Sequence, residues 1–167
     1  MIHTDRLILR PLTSGDIDSF VALHTDPKVS RFLDSYPRER AIQRLADVER
    51  QWEQRGYGLF AILLKDTGEF VGRCGLNYWE QFEEVEAAWV LVPAVWGRGY
   101  ATEAAQACLT WGFGTLDVDY ITAMIRTGND QSVRVAERLG FTPRRQEIFA
   151  DHPVTVYAID RPDRPSS

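Results

Sequence analysis

The stretch Val92 to Ala105 reads VPAVWGRGYATEAA and contains the most informative pattern in the chain. An apolar run over residues 85–93 leads into it, and a short loop then places Gly97 and Gly99 immediately before an alanine-rich helix. Glycine lets a backbone approach a ligand closely and adopt positive φ. Because the first amides of a helix have no intrahelical partner, such a loop can bind a pyrophosphate, and Arg98 can add a charged contact. The alternative is a tight turn whose glycines serve packing alone.

Strand and helix patterns alternate on both sides of this loop and predict a mixed α/β arrangement on one sheet. Strands are expected at residues 4–10, 58–65, 69–79, 85–93, 120–126, 145–150 and 154–160. The second and third of them flank Asp66-Thr67-Gly68, which is a strong hairpin signal. The run at residues 85–93 is apolar without alternation, so we expect a central strand that is buried on both faces.

Four helices are expected between these strands. The first is capped by Ser14 or Asp16 and is broken near Pro27. The others are expected at residues 38–55, 99–114 and 129–141, and Gly56 and Gly140 end the second and the fourth. The apolar face of the second helix is predicted to consist of Ile42, Leu45, Val48 and Trp52.

The composition is that of one globular domain. The chain has 167 residues, of which 44% are apolar and 26% are charged, and this excludes a disordered chain, a collagen-like repeat and a disulfide scaffold. Cys74 and Cys108 lie in apolar stretches and are expected to be buried free thiols. No metal is expected, because two cysteines and three scattered histidines do not form a zinc pattern. We expect one domain over residues 1–160 and a polar, frayed tail over residues 161–167.

The formal net charge of −5 argues against a nucleic-acid partner, because a phosphate footprint needs clustered Lys and Arg. It is compatible with a cationic substrate. No apolar run reaches the length of a membrane span, and the N-terminal sequence MIHTDRLILR lacks the hydrophobic core of a signal peptide. We therefore expect no membrane partner and a cytoplasmic location.

The loop and several other segments resemble the GCN5-related N-acetyltransferases (GNAT). WGRGYA fits their pyrophosphate motif, Arg/Gln-x-x-Gly-x-Gly/Ala, with Trp96 in the first position, Gly99 in the fourth and Ala101 in the sixth. A Trp in the first position is usual in the RimJ/RimL branch, the ribosomal-protein alanine acetyltransferases. TDRLILRPL, EFVGRCGL, NDQSVRVAERLGF and DHPVTVYAI are similar to further segments of that branch, so the resemblance runs in order over residues 4–160.

The resemblance implies a single acyl-CoA N-acyltransferase fold: a mostly antiparallel sheet, flanked by four helices, that splays between its fourth and fifth strands. It also implies acetyl-CoA as the co-substrate. The fourth strand, which bulges in that family, would pair with pantetheine through Val90, Leu91 and Val92. The diphosphate would lie on the amides of Gly97, Arg98, Gly99, Tyr100, Ala101 and Thr102. Asn129 would contact the ligand near the pantetheine, although an Asn before a helix is also a good N-cap.

Acetyl transfer to an amine needs a route for the amine proton and a group that stabilises the departing thiolate. Glu86 is the charged residue within the apolar run, and burial there would raise its pKa and suit it to act as a base. The alternative is a solvated residue beside Glu83 and Glu84, but the resemblance favours a base that acts through water. Many relatives use a Tyr as the acid, where this chain has Ala136. The RimJ/RimL branch points instead to Ser132, whose alternative role is a capping or surface hydroxyl.

These features predict an N-acetyltransferase that moves an acetyl group from acetyl-CoA to a primary amine by direct attack in a ternary complex. The amine belongs to a protein N-terminus or to a small molecule, and the enzyme is a monomer or a homodimer. The alternative function is a non-catalytic module that binds and senses acyl-CoA. By family analogy the acceptor lies between residues 31–40, 77–79 and 150–153. Candidate acceptor residues are the aromatics Tyr36, Tyr78 and Trp79 and the acids Asp34, Glu80 and Asp151.

Overall fold

A computed structural model describes residues 1–162, which form one eight-stranded sheet and five α-helices. The strands are β1 (Ile2–His3), β2 (Leu7–Pro11), β3 (Leu59–Leu64), β4 (Phe70–Trp79), β5 (Glu84–Leu91), β6 (Tyr120–Arg126), β7 (Thr142–Phe149) and β8 (His152–Asp160). The helices are α1 (Ile17–Thr25), α2 (Pro27–Ser30), α3 (Arg38–Arg55), α4 (Tyr100–Thr115) and α5 (Asp130–Leu139). Short 3₁₀ turns precede α1 at Ser14–Asp16 and α4 at Pro93–Val95.

The sheet confirms the predicted mixed α/β fold and its splay. The strand order is β1-β2-β3-β4-β5-β6-β8-β7, and every neighbouring pair is antiparallel except β5 and β6. These two strands are parallel, and their register consists of the single pair Glu86 and Thr122. The edge of β5 beyond Glu86 therefore opens a gap in the sheet. The register of β5 with β4 runs without a shift up to Leu91, so the bulge that the resemblance implied is not seen against β4.

The described chain has one strand and one helix more than the sequence predicted, because both elements are too short to show a periodic pattern. β1 adds two residues at the edge of the sheet. α2 begins at Pro27, whose missing N–H suits the first position of a helix, and the Asp26 side chain accepts a hydrogen bond from the amide of Lys28 at 2.9 Å. The proline that was expected to break one helix therefore also begins another.

The predictions about the cap of α1 and the apolar face of α3 are each wrong in one residue. The turn before α1 is capped by Thr13, whose hydroxyl accepts an amide at 3.2 Å while the Asp16 carboxylate accepts the Thr13 amide at 3.0 Å. The two side chains form a capping box that satisfies two amides at once, so the predicted Asp16 takes part in the cap and the predicted Ser14 does not. In α3, Ile42 is 53% exposed and Ala41 is fully buried. The small Ala41 side chain allows α3 to pack closely against α1.

Two layers of helices cover the two faces of the sheet. α4 packs with Leu76 and Ala87 on one face, whereas α1 and α3 bury Leu59 on the other. Cys74 and Cys108 lie in the α4 layer and are buried and free as predicted, with their sulfur atoms 3.3 Å apart.

The end of the described chain is held by Arg161. Its guanidinium donates hydrogen bonds to the carbonyls of Phe113, Leu116 and Val118 around the end of α4, so this first residue of the predicted tail is not frayed. The domain boundary at residue 160 stays a prediction, and residues 163–167 of the tail lie outside the described residues. Within residues 1–162, the structure has no helix with the length and apolar character needed to cross a membrane.

Candidate active site

A cavity of about 940 Å³, termed the cleft, lies along the C-terminal half of β5. Residues 95–102, termed the glycine loop, form one wall. The segment around α2 at residues 27–33 and the segment around α5 at residues 128–138 form the others. The divergence of β5 and β6 makes this arrangement possible, because a continuous sheet would close the space between β5 and α5.

The glycine loop presents backbone amides to the cleft. Gly97 and Gly99 have φ angles of +79° and +80°, as expected of glycines that reverse the chain before a helix. The amide of Glu103 donates to the carbonyl of Gly99 at 3.0 Å. The amides of the three residues between them therefore have no helical partner. Since these three residues line the cleft, the positive end of the α4 dipole faces this space.

The N-terminal segment braces the glycine loop. The Arg6 guanidinium donates to the carbonyl of Arg98 at 2.9 Å and lies over the ring of Tyr100, with its central carbon 4.3 Å from the ring centroid. The Glu103 carboxylate accepts hydrogen bonds from Arg6 and from Thr4. Burial acts to raise the pKa of Glu103, but these hydrogen bonds outweigh it and lower the pKa. The Glu103 carboxylate therefore binds the N-terminal segment.

Most residues predicted to bind acetyl-CoA line the cleft. They are Val90, Leu91, Gly97, Gly99, Tyr100, Ala101, Thr102 and Asn129. Val92 and Arg98 are not among the lining residues. The amide of Val92 donates to the carbonyl of Val71 at 2.8 Å and so continues the pairing with β4. The carbonyl of Arg98 accepts a hydrogen bond from Arg6. Because neither Val92 nor Arg98 lines the cleft, their predicted contacts with the ligand have no support from the cleft geometry.

The alternation along β5 shows which backbone groups face the gap in the sheet. The Val92 amide points toward β4, whereas the carbonyl of Leu91 accepts a hydrogen bond from Trp96 Nε1 at 2.8 Å. Successive residues of a strand direct their hydrogen-bonding groups to opposite sides. Trp89 and Leu91 therefore face the gap, and Val90 faces β4. Trp89 was not among the predicted residues, although the alternation identifies it once the direction of one backbone hydrogen bond is known.

The side chains around the cleft make it electropositive. Its basic lining residues are Lys28, Arg31, Arg134 and Arg138. Asp130 is the acidic residue in the lining, and none of the four cations forms an ion pair within residues 1–162. The predicted source of positive charge was Arg98, and these four residues were not predicted. The four-residue spacing of Arg134 and Arg138, which places both on one face of α5, was a usable signal.

Asn129 and Ser132 meet at the start of α5. The Asn129 side chain accepts the amide of Ser132 at 3.4 Å, so the capping role weighed for Asn129 is present. Both residues also line the cleft. The Ser132 hydroxyl makes no hydrogen bond within residues 1–162, whereas Ala136, where many relatives have a Tyr, is fully buried. A hydroxyl that faces the cleft without a partner is available to a ligand.

Glu86 lies outside the cleft lining and is 7% exposed. Its carboxylate accepts hydrogen bonds from Trp79 Nε1 at 3.0 Å and from Asn77 Nδ2 at 3.2 Å. Burial raises the pKa of Glu86 above its usual range, and these hydrogen bonds offset the rise in part. The alternative of a solvated residue beside Glu83 and Glu84 is wrong, because Glu84 is also buried and Glu83 alone of the three is exposed.

Glu86 belongs to a set of five side chains termed the buried polar cluster. Its members are His24, Arg44, Arg73, Asn77 and Glu86. Arg44 donates to Asn77 Oδ1 at 3.1 Å, and Arg73 Nε donates to His24 Nε2 at 3.0 Å. Burial, reinforced by Arg73 and Arg44, lowers the pKa of His24 to about 2, so the imidazole is neutral at pH 7. Burial also lowers the pKa of Arg73 to about 10, and its guanidinium stays charged at pH 7.

Two of the three segments expected to frame the acceptor, residues 31–40 and 77–79, contact this cluster. The ring of Tyr36 packs edge-on against the cluster histidine, with 5.0 Å between ring centroids. Trp79 packs against Phe149 at 4.9 Å. Asp34, considered as a site for an ammonium group, pairs instead with Arg126 at 2.9 Å. In the part of the chain that the structure describes, no three His, Cys, Asp or Glu side chains are grouped to hold a metal ion.

Comparison with known proteins agrees with this geometry. A family model described as Acetyltransferase (GNAT) domain matches residues 6–142. The uncharacterized protein YkkB of Bacillus subtilis (strain 168) is 33% identical over 162 residues, which cover 92% of each chain. The crystal structure of an acetyltransferase from Agrobacterium tumefaciens str. C58 has a TM-score of 0.82 at 31% identity and covers 95% of this chain and 92% of its own. RimL, described as a ribosomal L7/L12 alpha-N-protein acetyltransferase in complex with coenzyme A, has a TM-score of 0.79 at 21% identity and coverage of 94% and 95%.

Proposed function

The chain belongs to the family of GNAT acetyltransferase domains, and we propose that it moves the acetyl group of acetyl-CoA to a primary amine by direct attack in a ternary complex. Family membership makes it an acetyl-CoA-dependent acetyltransferase. The proposal concerns the residues that act and the acceptor, which is a protein N-terminus or a small molecule. The cytoplasmic location, the RimJ/RimL subtype and the monomeric or homodimeric state stay predictions.

The observation that carries the proposal is the match between the cleft and the charges of acetyl-CoA. The ligand bears a diphosphate and a further phosphate, and it needs an electropositive site with amide donors. The cleft offers the unpaired amides at the start of α4 and four basic side chains. The glycine loop would hold the diphosphate, and the arginines of α5 would contact the remaining phosphate. The RimL structure, which is a complex with coenzyme A, supports the assignment through the shared fold.

The open edge of β5 would bind the pantetheine arm. Trp89 and Leu91 direct backbone groups into the gap, whereas Val90 and Val92 pair with β4. An arm that follows this edge away from the glycine loop leads toward Glu86, where β5 begins to pair with β6. The splay of the sheet would therefore bring the thioester near the buried carboxylate.

Acetyl-CoA supplies an activated thioester carbonyl, and the chain supplies position and proton transfer. Glu86, with a pKa raised by burial, would accept the amine proton through a water molecule as the nitrogen bonds to the acetyl carbon. The carbon–sulfur bond then breaks and leaves the electron pair on the CoA sulfur. The Ser132 hydroxyl would stabilise this thiolate by a hydrogen bond, since a serine is too weak an acid to protonate it fully.

Replacement of Ser132 by Ala is expected to lower kcat about 10-fold and to leave KM for acetyl-CoA nearly unchanged. One hydrogen bond to a charged group contributes roughly 1.5 kcal/mol, which corresponds to about that factor. Steady-state kinetics at saturating acetyl-CoA measure it. Ser132→Thr, which keeps a hydroxyl, is the matched control and should retain most of the rate. Because the cap on Asn129 uses the Ser132 amide and not its hydroxyl, a wild-type rate in Ser132→Ala would return Ser132 to a packing role.

The overall proposal is tested by a screen of acceptors. Purified protein and acetyl-CoA are combined with primary amines and with N-terminal peptides, and free CoA thiol and the mass of each product are measured. We expect acceptor-dependent thiol release and a product heavier by one acetyl group. A non-catalytic acyl-CoA sensor would instead bind acetyl-CoA without any acceptor-dependent thiol, and that result would overturn the proposal.

A further inference from the structure

The buried polar cluster contains one more positive charge than negative charge. Arg44 and Arg73 are cations at pH 7, Glu86 supplies one negative charge when it is ionised, and His24 is neutral. The uncharged Asn77 side chain links a cation to an anion, because it accepts a hydrogen bond from Arg44 and donates one to Glu86. Outside the cluster, Tyr36 and Cys74 are the other titratable groups that act on Arg73, and burial raises the pKa of the Cys74 thiol.

The arginines of this cluster differ from two other half-buried arginines of the fold, each of which has a carboxylate partner. Arg10 pairs with Asp16 at 2.8 Å, and Arg145 pairs with Glu84 at 2.5 Å. By contrast, within residues 1–162 neither Arg44 nor Arg73 forms an ion pair. Arg73 is 7% exposed, and its single hydrogen bond goes to a neutral imidazole. The Glu86 carboxylate acts on Arg73 through space but forms no ion pair with it, and one carboxylate does not balance two guanidinium groups. A buried charge without a directly paired anion costs free energy, and an anionic ligand would lower that cost.

The cluster lies next to the strand that borders the cleft, and none of its five side chains is among the cleft's lining residues. Arg73 lies directly opposite Val90 in the register of β4 and β5, and Val90 lines the cleft. Glu86 occupies the same face of β5 four residues earlier, which is roughly 13 Å along the strand. The excess positive charge of the cluster therefore lies between the cleft and Glu86, the proposed base.

We propose that the acceptor is a small amine that carries a carboxylate a few bonds from its nitrogen, as an amino acid does, and that Arg73 and Arg44 bind this carboxylate. This inference rests on the proposed acetyl transfer. A single Asn77 amide separates the Arg44 guanidinium from the Glu86 carboxylate, so an acceptor that reaches both has its amine and its carboxylate close together. The two guanidinium groups also favour the neutral form of the amine, which is the nucleophilic one.

The test compares acceptors that differ in the carboxylate alone. For several side chains, the free amino acid, its amide and the decarboxylated amine are offered with acetyl-CoA, and kcat/KM is measured by thiol release and product mass. The pKa of the amine is lower in the amide and higher in the decarboxylated amine than in the amino acid. A rate advantage of the amino acid over both controls therefore does not come from the pKa of its amine. We expect the amino acid to exceed both by about 100-fold, because an anion site left empty keeps a buried charge unpaired.

Two variants separate recognition from folding. The variants are Arg44→Gln, at a half-buried position of α3, and Arg73→Gln. Each is expected to reduce the preference for the amino acid over its amide to about threefold or less, while KM for acetyl-CoA is unchanged. If Arg73→Gln fails to fold, Arg44→Gln still decides the question.

If the amides are acetylated with the same kcat/KM as the amino acids, the inference is overturned and acetyl transfer stays intact. N-terminal peptides with an acidic second residue that exceed every amino acid would also overturn it. Failure of every amine would overturn the proposed function itself.

Discussion

Replacement of Glu86 by Gln is expected to lower kcat by about 100-fold to 10 000-fold, which is the usual contribution of a general base. The amide keeps an oxygen that can accept the hydrogen bonds from Asn77 and Trp79, so the change removes the base and preserves the packing. Acetyl-CoA should bind with unchanged affinity, because Glu86 lies outside the cleft lining. Steady-state kinetics together with an acetyl-CoA binding isotherm measure both quantities.

The pH dependence distinguishes loss of a base from a general disturbance. Glu86 acts in its ionised form, so its contribution falls as the pH falls through its pKa. Burial raises that pKa, and the loss therefore begins at a higher pH than for a solvated glutamate. Protonation of the amine affects wild type and variant alike and cancels in their ratio. The ratio of wild-type kcat to Glu86→Gln kcat should rise with pH and then level off above the pKa of Glu86.

The matched control is Glu83→Gln, which makes the same chemical change three residues earlier on an exposed side chain. Its rate and pH profile should equal those of the wild type. A ratio for Glu86→Gln that does not vary with pH, or an equal effect of both variants, would contradict the assignment of Glu86 as the base.

The double charge reversal Arg134→Glu with Arg138→Glu is expected to raise KM for acetyl-CoA by about 100-fold or more, with little change in kcat. Both arginines are exposed, lie on one face of α5 and line the cleft. The loss of two charge-assisted hydrogen bonds of roughly 1.5 kcal/mol each already corresponds to about that factor. The variant should also show a smaller rise of KM with salt than the wild type, because fewer charge contacts remain to be screened.

A control with the same change of net charge is Arg50→Glu with Arg144→Glu. Both residues are exposed and neither lines the cleft, so KM should stay within about twofold of the wild-type value. Equal effects of the two double variants would mean that overall charge attracts the ligand and that α5 has no direct contact with it.

Local patterns in the sequence predicted the long elements well. The 18-residue helix α3, its end at Gly56 and the hairpin between β3 and β4 follow from periodicity and turn chemistry, which act within a few residues. The same patterns missed α2 and β1, because elements of four and two residues have no period to detect. Ile42 was wrongly assigned to the buried face of α3, which consists of Ala41, Leu45 and Val48.

In the candidate site, too, the features formed by neighbours along the chain were predictable and those formed by distant residues were not. The glycine loop was predictable because Gly97, Gly99 and the amides of α4 are neighbours along the chain. The cationic wall of the cleft was not, since Lys28 and Arg31 come from one end of the sequence and the α5 arginines from the other.

The sequence by itself therefore determined the family, the main elements and the anion-binding loop, because each depends on residues close together along the chain. Tertiary structure alone decided the environment of Glu86. Its burial, its hydrogen bonds and the unpaired Arg73 arise from strand register and helix packing, which join residues from α1, α3, β4 and β5. Burial and Coulomb interactions depend on distance in space, so they appear only when these elements are assembled.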